Sequence, residues 1–214
     1  MTSARALLLL TTGALLVPGC STWLPDFVEK QQFERVERID RVAVVPFSAA
    51  ARLEQSLDAE AGTTPADAAA LVTRFVSEAL AVYVPVIPEG DVRTASAAQD
   101  RPSLRPSPEV AAMIASSEFG ADAVLLGEVR RYRERVGSAL GSEQPASVEF
   151  EVTLYAAPSG TKLWIGRFAQ TQAALSSNLF VSARLPGGGS RFLTVAELAR
   201  FGAERVAEEM PLGR

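Results

Sequence analysis

The chain has one cysteine, Cys20, separated by Pro18 and Gly19 from an apolar run at residues 6–17. A basic start, an apolar stretch of this length and a small residue before the cysteine are typical of a secretory signal, whereas a membrane-spanning helix needs about 20 apolar residues. We therefore expect residues 1–19 to be removed. With no second cysteine, the domain must fold on hydrophobic burial without an internal disulfide, even in an oxidising compartment.

The residues Val17-Pro18-Gly19-Cys20 resemble the lipobox of bacterial lipoproteins. The resemblance implies that the Cys20 sulfur receives a diacylglyceryl group, that the chain is cut before it and that the new amino terminus is acylated. Two or more acyl chains hold a protein stably on a membrane. Ser21 stands where an aspartate signals inner-membrane retention in Gram-negative lipoproteins, so the resemblance implies the periplasmic face of the outer membrane. The alternative is an ordinary secretory signal followed by a chance cysteine.

Composition excludes most hydrolytic chemistry. The chain has no histidine, so it cannot build a Cys/His zinc site, a Ser-His-Asp triad or a Cys-His dyad. Three kinds of chemistry stay open, although the sequence carries no motif for them. They are carboxylate chemistry, Ser-Lys chemistry around Lys30 or Lys162, and binding of calcium or magnesium by oxygen ligands. Without the signal the chain has 20 basic and 25 acidic side chains, which argues against general affinity for nucleic acid or anionic lipid. We expect no catalytic residues, no cofactor and no metal.

The mature chain is long enough for one domain. Residues 20–38 contain Pro25 and many charges, which predicts a lipidated tether with a short helical stretch around residues 28–36. Residues 39–214 form the predicted periplasmic domain. It opens with the β-branched run RVAVVPF at residues 41–47, which is typical of a central strand buried on both faces.

Three segments carry helix-start signals. Thr64 and Ser107 each precede a proline and an acidic residue, and Thr194 forms a capping box with Glu197. They predict helices to about residues 82, 119 and 209. For the first helix we expect a buried stripe, and for the last a hydrophobic staple. The stripe comprises Ala70, Leu71, Phe75, Ala79 and Val82, and the staple Leu193 and Leu198.

The remaining pattern predicts strands. Residues 84–88 carry two prolines and suit an edge strand, and residues 89–106 indicate a long surface loop. Residues 121–129 form a buried strand that continues as a polar extension at residues 130–135. Residues 148–155 alternate strictly and turn into a hairpin with residues 162–171. The order β-α-β-α-β-β-β-α predicts an α/β (α+β) fold, a mixed sheet of about five strands with helices packed on it.

The polar strand extension is a candidate binding site, with Arg131 and Arg133 as candidate partner contacts. Its arginines could grip an anionic polymer, but cross-strand ion pairs with Glu149 and Glu151 are the favoured interpretation. The same two glutamates could also act as a glycosidase pair. Two carboxylates on one face of a strand are, however, a common product of strand alternation, so the catalytic interpretation is not favoured. For the aromatic residues Tyr155, Trp164 and Phe168, core packing is favoured over a ligand platform.

The segment 172–190 mixes apolar residues with glycine and proline. It places Leu179, Phe180 and Val181 next to each other, and exposed apolar clusters commonly mark contact sites. We therefore predict a partner surface there, with a cover over an open sheet edge as the alternative.

Two motifs carry a resemblance to a known group. The run AVVPF at residues 43–47 and the junction GADAVLLG at residues 120–127 resemble periplasmic lipoprotein domains related to the amino-terminal domain of TolB, a group that includes CsgG and LpoB. The resemblance implies an envelope assembly factor, a secretion-channel subunit or an enzyme activator, and in general no catalysis.

These observations predict a lipid-anchored periplasmic protein that acts by protein contact in cell-envelope biogenesis or transport. Its partners would be the membrane, through the lipid, and an unidentified envelope protein, but no nucleic acid. A glycan-binding or carboxylate-dependent glycan-active protein is one alternative. A subunit of an oligomeric export channel is another, and homo-oligomerisation stays open.

Overall fold

Capping residues set the starts of the main helices, and apolar alternation sets the long strands. The computed structural model describes residues 27–34, 38–53, 63–98, 106–172 and 184–213. Its strands are β1 (Val28–Gln32), β2 (Val42–Val44), β3 (Ser48–Ala49), β4 (Val86–Ile87), β5 (Ala123–Arg133), β6 (Val136–Gly137), β7 (Ser142–Gln144), β8 (Ser147–Ala156) and β9 (Lys162–Thr171). Its helices are α1 (Pro65–Leu80), α2 (Glu89–Ala98), α3 (Pro108–Phe119) and α4 (Val195–Glu209), and Pro186–Gly189 form a 3-10 turn.

One mixed sheet joins seven of these strands in the spatial order β1-β9-β8-β5-β2-β4, with β3 paired to the middle of β5. Strands β4, β2 and β5 run parallel to one another, and the pairs β5–β8, β8–β9 and β9–β1 are antiparallel. Strands β6 and β7 form a separate hairpin between β5 and β8. The predicted class and the mixed sheet are confirmed, but the sheet has more than the five strands expected.

Helices α1 and α4 cover one face of the sheet. The caps that the sequence predicts are both present as full capping boxes, Thr64 with Asp67 and Thr194 with Glu197. The predicted staple residues Leu193 and Leu198 are both fully buried in the core beneath α4. Strand β8 supplies this core with alternate side chains that are completely buried: Val148, Phe150, Val152 and Leu154.

The buried side of α1 differs from the predicted stripe. Phe75 and Ala79 are buried as expected, and Leu71 is partly buried, but Ala70 is exposed. Val82 lies beyond the end of the helix and is 78% exposed. The predicted helix was about half a turn too long, and the residues that face the core are Ala68, Ala69, Val72, Thr73, Phe75, Val76, Ala79 and Leu80.

The opposite face carries a smaller apolar cluster under α2 and α3. Helix α2 was not predicted, because residues 89–106 were expected to form a loop. Val92 is its one fully buried residue, so the sequence shows no apolar periodicity there. Helix α3 begins after Ser107 as predicted and ends at Gly120, whose φ of +59° is a left-handed cap that favours glycine.

Strand β1 corrects the prediction of a helical stretch in the tether. It pairs antiparallel with β9 along its whole length and forms one edge of the sheet. Only Val28 of the strand is buried, and its other residues are exposed. A mostly polar strand of this kind shows little apolar alternation, so the sequence pattern did not separate it from a tether.

Helices α2 and α3 cover only part of their face. Their cluster includes Ala43 of β2 and Val124 at the start of β5, and it extends to Tyr155 at the end of β8. The end of β5, the first half of β8, and strands β9 and β1 have no described helix over this face. We call this half of the sheet, which no described helix covers, the charged face.

Candidate functional site

The structure describes some of the predicted site residues. Cys20 and the cluster Leu179, Phe180 and Val181 lie outside the described residues, so lipidation and the apolar contact surface stay predictions. Arg131 and Arg133 lie on β5, at the edge of the charged face.

A β-bulge in β5 places two consecutive arginines on the charged face. The register with β8 shifts between Val129 and Arg131, which leaves Arg130 as the extra residue. Val129 and Tyr132 are buried on the helix-covered side, whereas both arginines reach carboxylates of β8 on the charged face. The signal for the bulge is present in the sequence, since these two core residues are three apart where regular alternation would put them two apart.

Glu149 is the centre of the charged face. Its carboxylate accepts from Arg131 Nη1 at 3.0 Å, from Arg167 Nη2 at 2.9 Å and from Arg52 Nη2 at 3.3 Å. The three arginines come from β5, β9 and the turn after β3, so one side chain joins three parts of the fold. Only 7% of the Glu149 side chain is exposed. Arg52 was missed by sequence reasoning, because it lies in a turn with no periodic pattern.

The electrostatics keep Glu149 ionised. Burial by itself raises the pKa of the Glu149 carboxyl, but the hydrogen bond from Arg167 and the charges of Arg167, Arg131 and Arg52 outweigh it and hold that pKa below its usual range. The same contact raises the pKa of Arg167, with Glu29 adding to the effect. Glu149 is therefore an anion that the arginines neutralise at any physiological pH.

Further ion pairs extend the network across the strands. Arg130 binds Glu128 and Glu151, each at 3.1 Å, and Arg167 also binds Glu29 of the edge strand at 2.9 Å. Four arginines thus face four glutamates, and the array is neutral. The predicted cross-strand pairs are confirmed. Each of these arginines already has a carboxylate partner. The array therefore gives no support to the alternative that the arginines bind an anionic polymer.

The two outer arginines of the strand extension have structural contacts. With its side-chain amide turned so that the oxygen faces the guanidinium, Gln144 in β7 accepts from Arg133 Nη1 at 3.0 Å. Arg135 donates from Nη1 to the backbone carbonyl of Phe192, just before α4. Both side chains therefore attach the β6–β7 hairpin region to the rest of the domain.

The glycosidase alternative requires one carboxyl group that holds a proton near neutral pH. Glu149 has the opposite property, because its pKa is lowered. The aromatic platform is not formed, since Trp164 and Phe168 are buried on the helix-covered side while Tyr155 lies on the opposite face. Among the described residues, no group of three acidic, histidine or cysteine side chains is placed to hold a metal ion.

A shallow cleft of about 250 Å³ lies between the charged face and Pro106, just before α3. Glu128 and Glu151 stand at its polar side, and both are bound to Arg130. Its remaining wall is largely apolar, formed by Val45, Pro46, Pro106, Leu126 and Gly127 together with Ser48 and Thr153. The cleft is a recess in the charged face that could receive a side chain from a bound protein.

None of the helices in the described part of the chain is long and apolar enough to cross a membrane.

Comparisons with known proteins give similar structures at low identity. No family model and no curated protein sequence matches the chain. The PelC dodecamer from Paraburkholderia phytofirmans is 16% identical, with 84% of this chain and 92% of that chain covered and a TM-score of 0.45. Lipoprotein GNA1162 from Neisseria meningitidis is 20% identical, with 64% and 86% covered and a TM-score of 0.40.

The LpoB C-terminal domain from Escherichia coli is also similar. It is 18% identical, with 65% of this chain and 88% of that chain covered and a TM-score of 0.38. LpoB belongs to the group that the sequence resembles. All three TM-scores are below 0.5, so nothing about the role of this chain follows from these likenesses.

Proposed function

We propose that this chain is a lipid-anchored periplasmic protein of the outer membrane, and that it acts by contact with another envelope protein through the charged face of its sheet. The observation that carries the proposal is the open half of the sheet, which bears a fixed array of alternating charges and no described helix. The anchor is Cys20, whose position after the apolar run is the one that a lipobox requires.

The array suits recognition better than catalysis. Paired charges that are held in place orient a partner and speed its encounter, while their net affinity stays modest. Glu149 is buried and forms ion pairs with three arginines. It thereby holds Arg131 and Arg167 in fixed positions, where a partner can contact them. The cleft beside the array offers an apolar pocket at its rim. We infer a partner whose own surface carries both signs of charge around an apolar side chain.

Charge reversal at the rim of the array tests this surface. Glu29 is 74% exposed and pairs only with Arg167 among the ion pairs of the array, so Glu29→Lys should leave the fold intact. Glu208→Lys is the matched control, because Glu208 is a half-exposed residue of α4 in an ion pair with Arg205. After crosslinking in intact cells and pull-down, we expect Glu29→Lys to lower recovery of the partner at least several-fold.

The control should recover the partner at the wild-type level. Equal recovery from both variants would mean that the charged face is not the contact surface. Ring-shaped oligomers of the wild-type protein in detergent would instead favour the export-channel alternative, and binding to purified sacculi would favour a glycan-binding role.

The apolar cluster Leu179, Phe180 and Val181 is a second proposed contact surface. Phe180→Ser separates its two interpretations. A partner surface predicts lost crosslinking with stability kept within about 0.5 kcal/mol, whereas a buried cover predicts a loss of several kcal/mol.

The anchor has its own test. Cys20→Ala removes the only thiol that could accept lipid, so metabolic labelling with a palmitate analogue should fall to background. Equal labelling of the variant and the wild type would contradict the lipoprotein assignment without bearing on the contact surface.

A further inference from the structure

The start of β1 fixes which end of the domain is attached to the anchor. Val28 lies eight residues after Cys20. It pairs with Phe168, near the carboxyl end of β9. In the same register, Ser147 at the start of β8 pairs with Thr171 of β9 and with Arg133 at the end of β5. The chain from the anchor therefore enters the sheet at the end where β5 and β9 finish.

The distance from the anchor to this end is short. Eight residues extend to at most about 29 Å. Strand β5, with eleven residues, is about 36 Å long. The tether is shorter than β5, so Val28 and the end of the sheet that holds it lie within about 29 Å of Cys20.

The β6–β7 hairpin projects from this same end, because it joins the end of β5 to the start of β8. The side chain of Leu140 at its tip is 85% exposed, and Val136 is 42% exposed. Glu143 is the only ionisable residue between positions 136 and 144. The hairpin thus presents an uncharged, partly apolar tip towards the side from which the tether comes.

The tip is held in a defined shape. The backbone of Ser138 donates to the Gly141 carbonyl at 2.8 Å, and that of Phe192 donates to the Ala139 carbonyl at 2.8 Å. Gly137 adopts a φ of +109°, where a Cβ would lie 2.7 Å from the Gly141 carbonyl oxygen, so only glycine fits this turn. With Arg133 and Arg135 at its base, the hairpin is fixed to the domain, and its exposed leucine does not fold back onto the core.

We propose that the β6–β7 hairpin is a second membrane contact, in which Leu140 enters the boundary between headgroups and acyl chains beside the lipid on Cys20. The occupant of this surface is a phospholipid bilayer. This inference rests on the proposed lipidation, because the tether brings the hairpin to the membrane. The two contacts together hold the strands upright, and the charged face then points sideways into the periplasm.

Val82 provides a matched comparison. It is an exposed apolar residue on the turn between α1 and β4, 78% exposed. Since β4 runs parallel to β2 and β5, its start lies at the opposite end of the sheet from the hairpin. In an upright domain Val82 points away from the bilayer.

The test uses the full lipidated protein, reconstituted into phosphatidylethanolamine–phosphatidylglycerol vesicles. Because lipid blocks the Cys20 sulfur, Leu140→Cys and Val82→Cys each provide one thiol for a fluorescent label. We expect a nitroxide placed on the acyl chains to quench the label at position 140 several-fold more than that at position 82. A water-soluble quencher should show the reverse order.

Equal quenching at the two positions, or stronger lipid-side quenching at position 82, would overturn the proposal. Mass measurement of the Cys20 peptide is made first on the same samples. Absence of lipid there would contradict the proposed function itself and remove the inference with it, whereas lipid at Cys20 with equal quenching would contradict the hairpin contact alone. Both labelled sites are exposed, so an unchanged melting curve is expected for both variants.

Discussion

The two faces of β8 show how one strand serves two purposes. Its inward side chains, such as Phe150 and Val152, are completely buried under α1 and α4. Its outward side chains, Glu149 and Glu151, hold arginines from neighbouring strands. The first set stabilises the domain through burial, whose free energy scales with apolar area. In the second set Glu149 is buried among three arginines, whereas the partly exposed pairs around it contribute little stability and present a pattern of charge. The difference separates the part that folds from the part proposed to bind.

The largest effect should come from the covered side. Phe150 is fully buried with its ring 5.6 Å from that of Phe168, so Phe150→Ala should lower the free energy of unfolding by about 3–5 kcal/mol. Thr153→Ala, on the opposite side of the same strand, is the control and should change it by less than about 0.5 kcal/mol. Urea unfolding measures both. Similar losses for the two variants would break the proposed division between the faces.

Glu149 is the most deeply buried charge of the face, and Glu149→Gln tests how much that burial matters. The substitution leaves three arginines without their shared anion, so we expect a loss of about 2 kcal/mol. Glu151→Gln, which removes a single partly exposed partner of Arg130, should cost less than about 1 kcal/mol. If the two variants were equally stable by urea unfolding, Glu149 would not be the centre of the array.

The same residue predicts a dependence on pH. The folded-state pKa of Glu149 is lowered, so its stabilisation is present above the unfolded pKa, near 4.5, and is lost as the pH falls through the folded value. The pKa of Glu197 is also lowered, to about 2, mainly by the hydrogen bond that it accepts from Arg191. Its stabilisation is therefore lost in the same direction of pH. Melting temperatures should fall between pH 5 and pH 2, and they should fall less steeply for Glu149→Gln. Parallel curves would contradict the role of Glu149.

The cap of α4 should have a smaller effect. Thr194 accepts from the Glu197 backbone at 3.2 Å, and Thr194→Ala should lower the free energy of unfolding by about 1 kcal/mol, as for other N-caps. The helix packs on the sheet, so the loss should appear in global unfolding. An unchanged urea midpoint would show that the cap contributes nothing.

The smallest effect is expected at the outer rim of the array. Glu29 pairs with Arg167 while largely exposed to water, and exposed pairs contribute about 0–1 kcal/mol. Glu29→Gln should therefore leave the urea midpoint nearly unchanged. A loss as large as that of Glu149→Gln would mean that the whole charged face is structural.

Local patterns predicted the parts of the fold that depend on local chemistry. Capping residues gave the starts of α1, α3 and α4, and strict alternation gave β8 and its ion pairs with β5. Strand β1 and helix α2 were missed, because an edge strand with one buried residue and a helix with one buried residue carry almost no periodic signal. The part played by Arg52 depends on how the turn after β3 folds over the sheet, and no local pattern encodes that contact.

Site-specific photo-crosslinking in intact cells can show whether the charged face contacts another envelope protein. A photoreactive amino acid is placed at Gln31, an exposed residue of β1 next to the charged face, and in parallel at Glu204, an exposed residue of α4. We expect a covalent adduct with another envelope protein from position 31 and none from position 204. An adduct from position 204 alone, or from neither position, would contradict the claim that this protein acts through the charged face of its sheet.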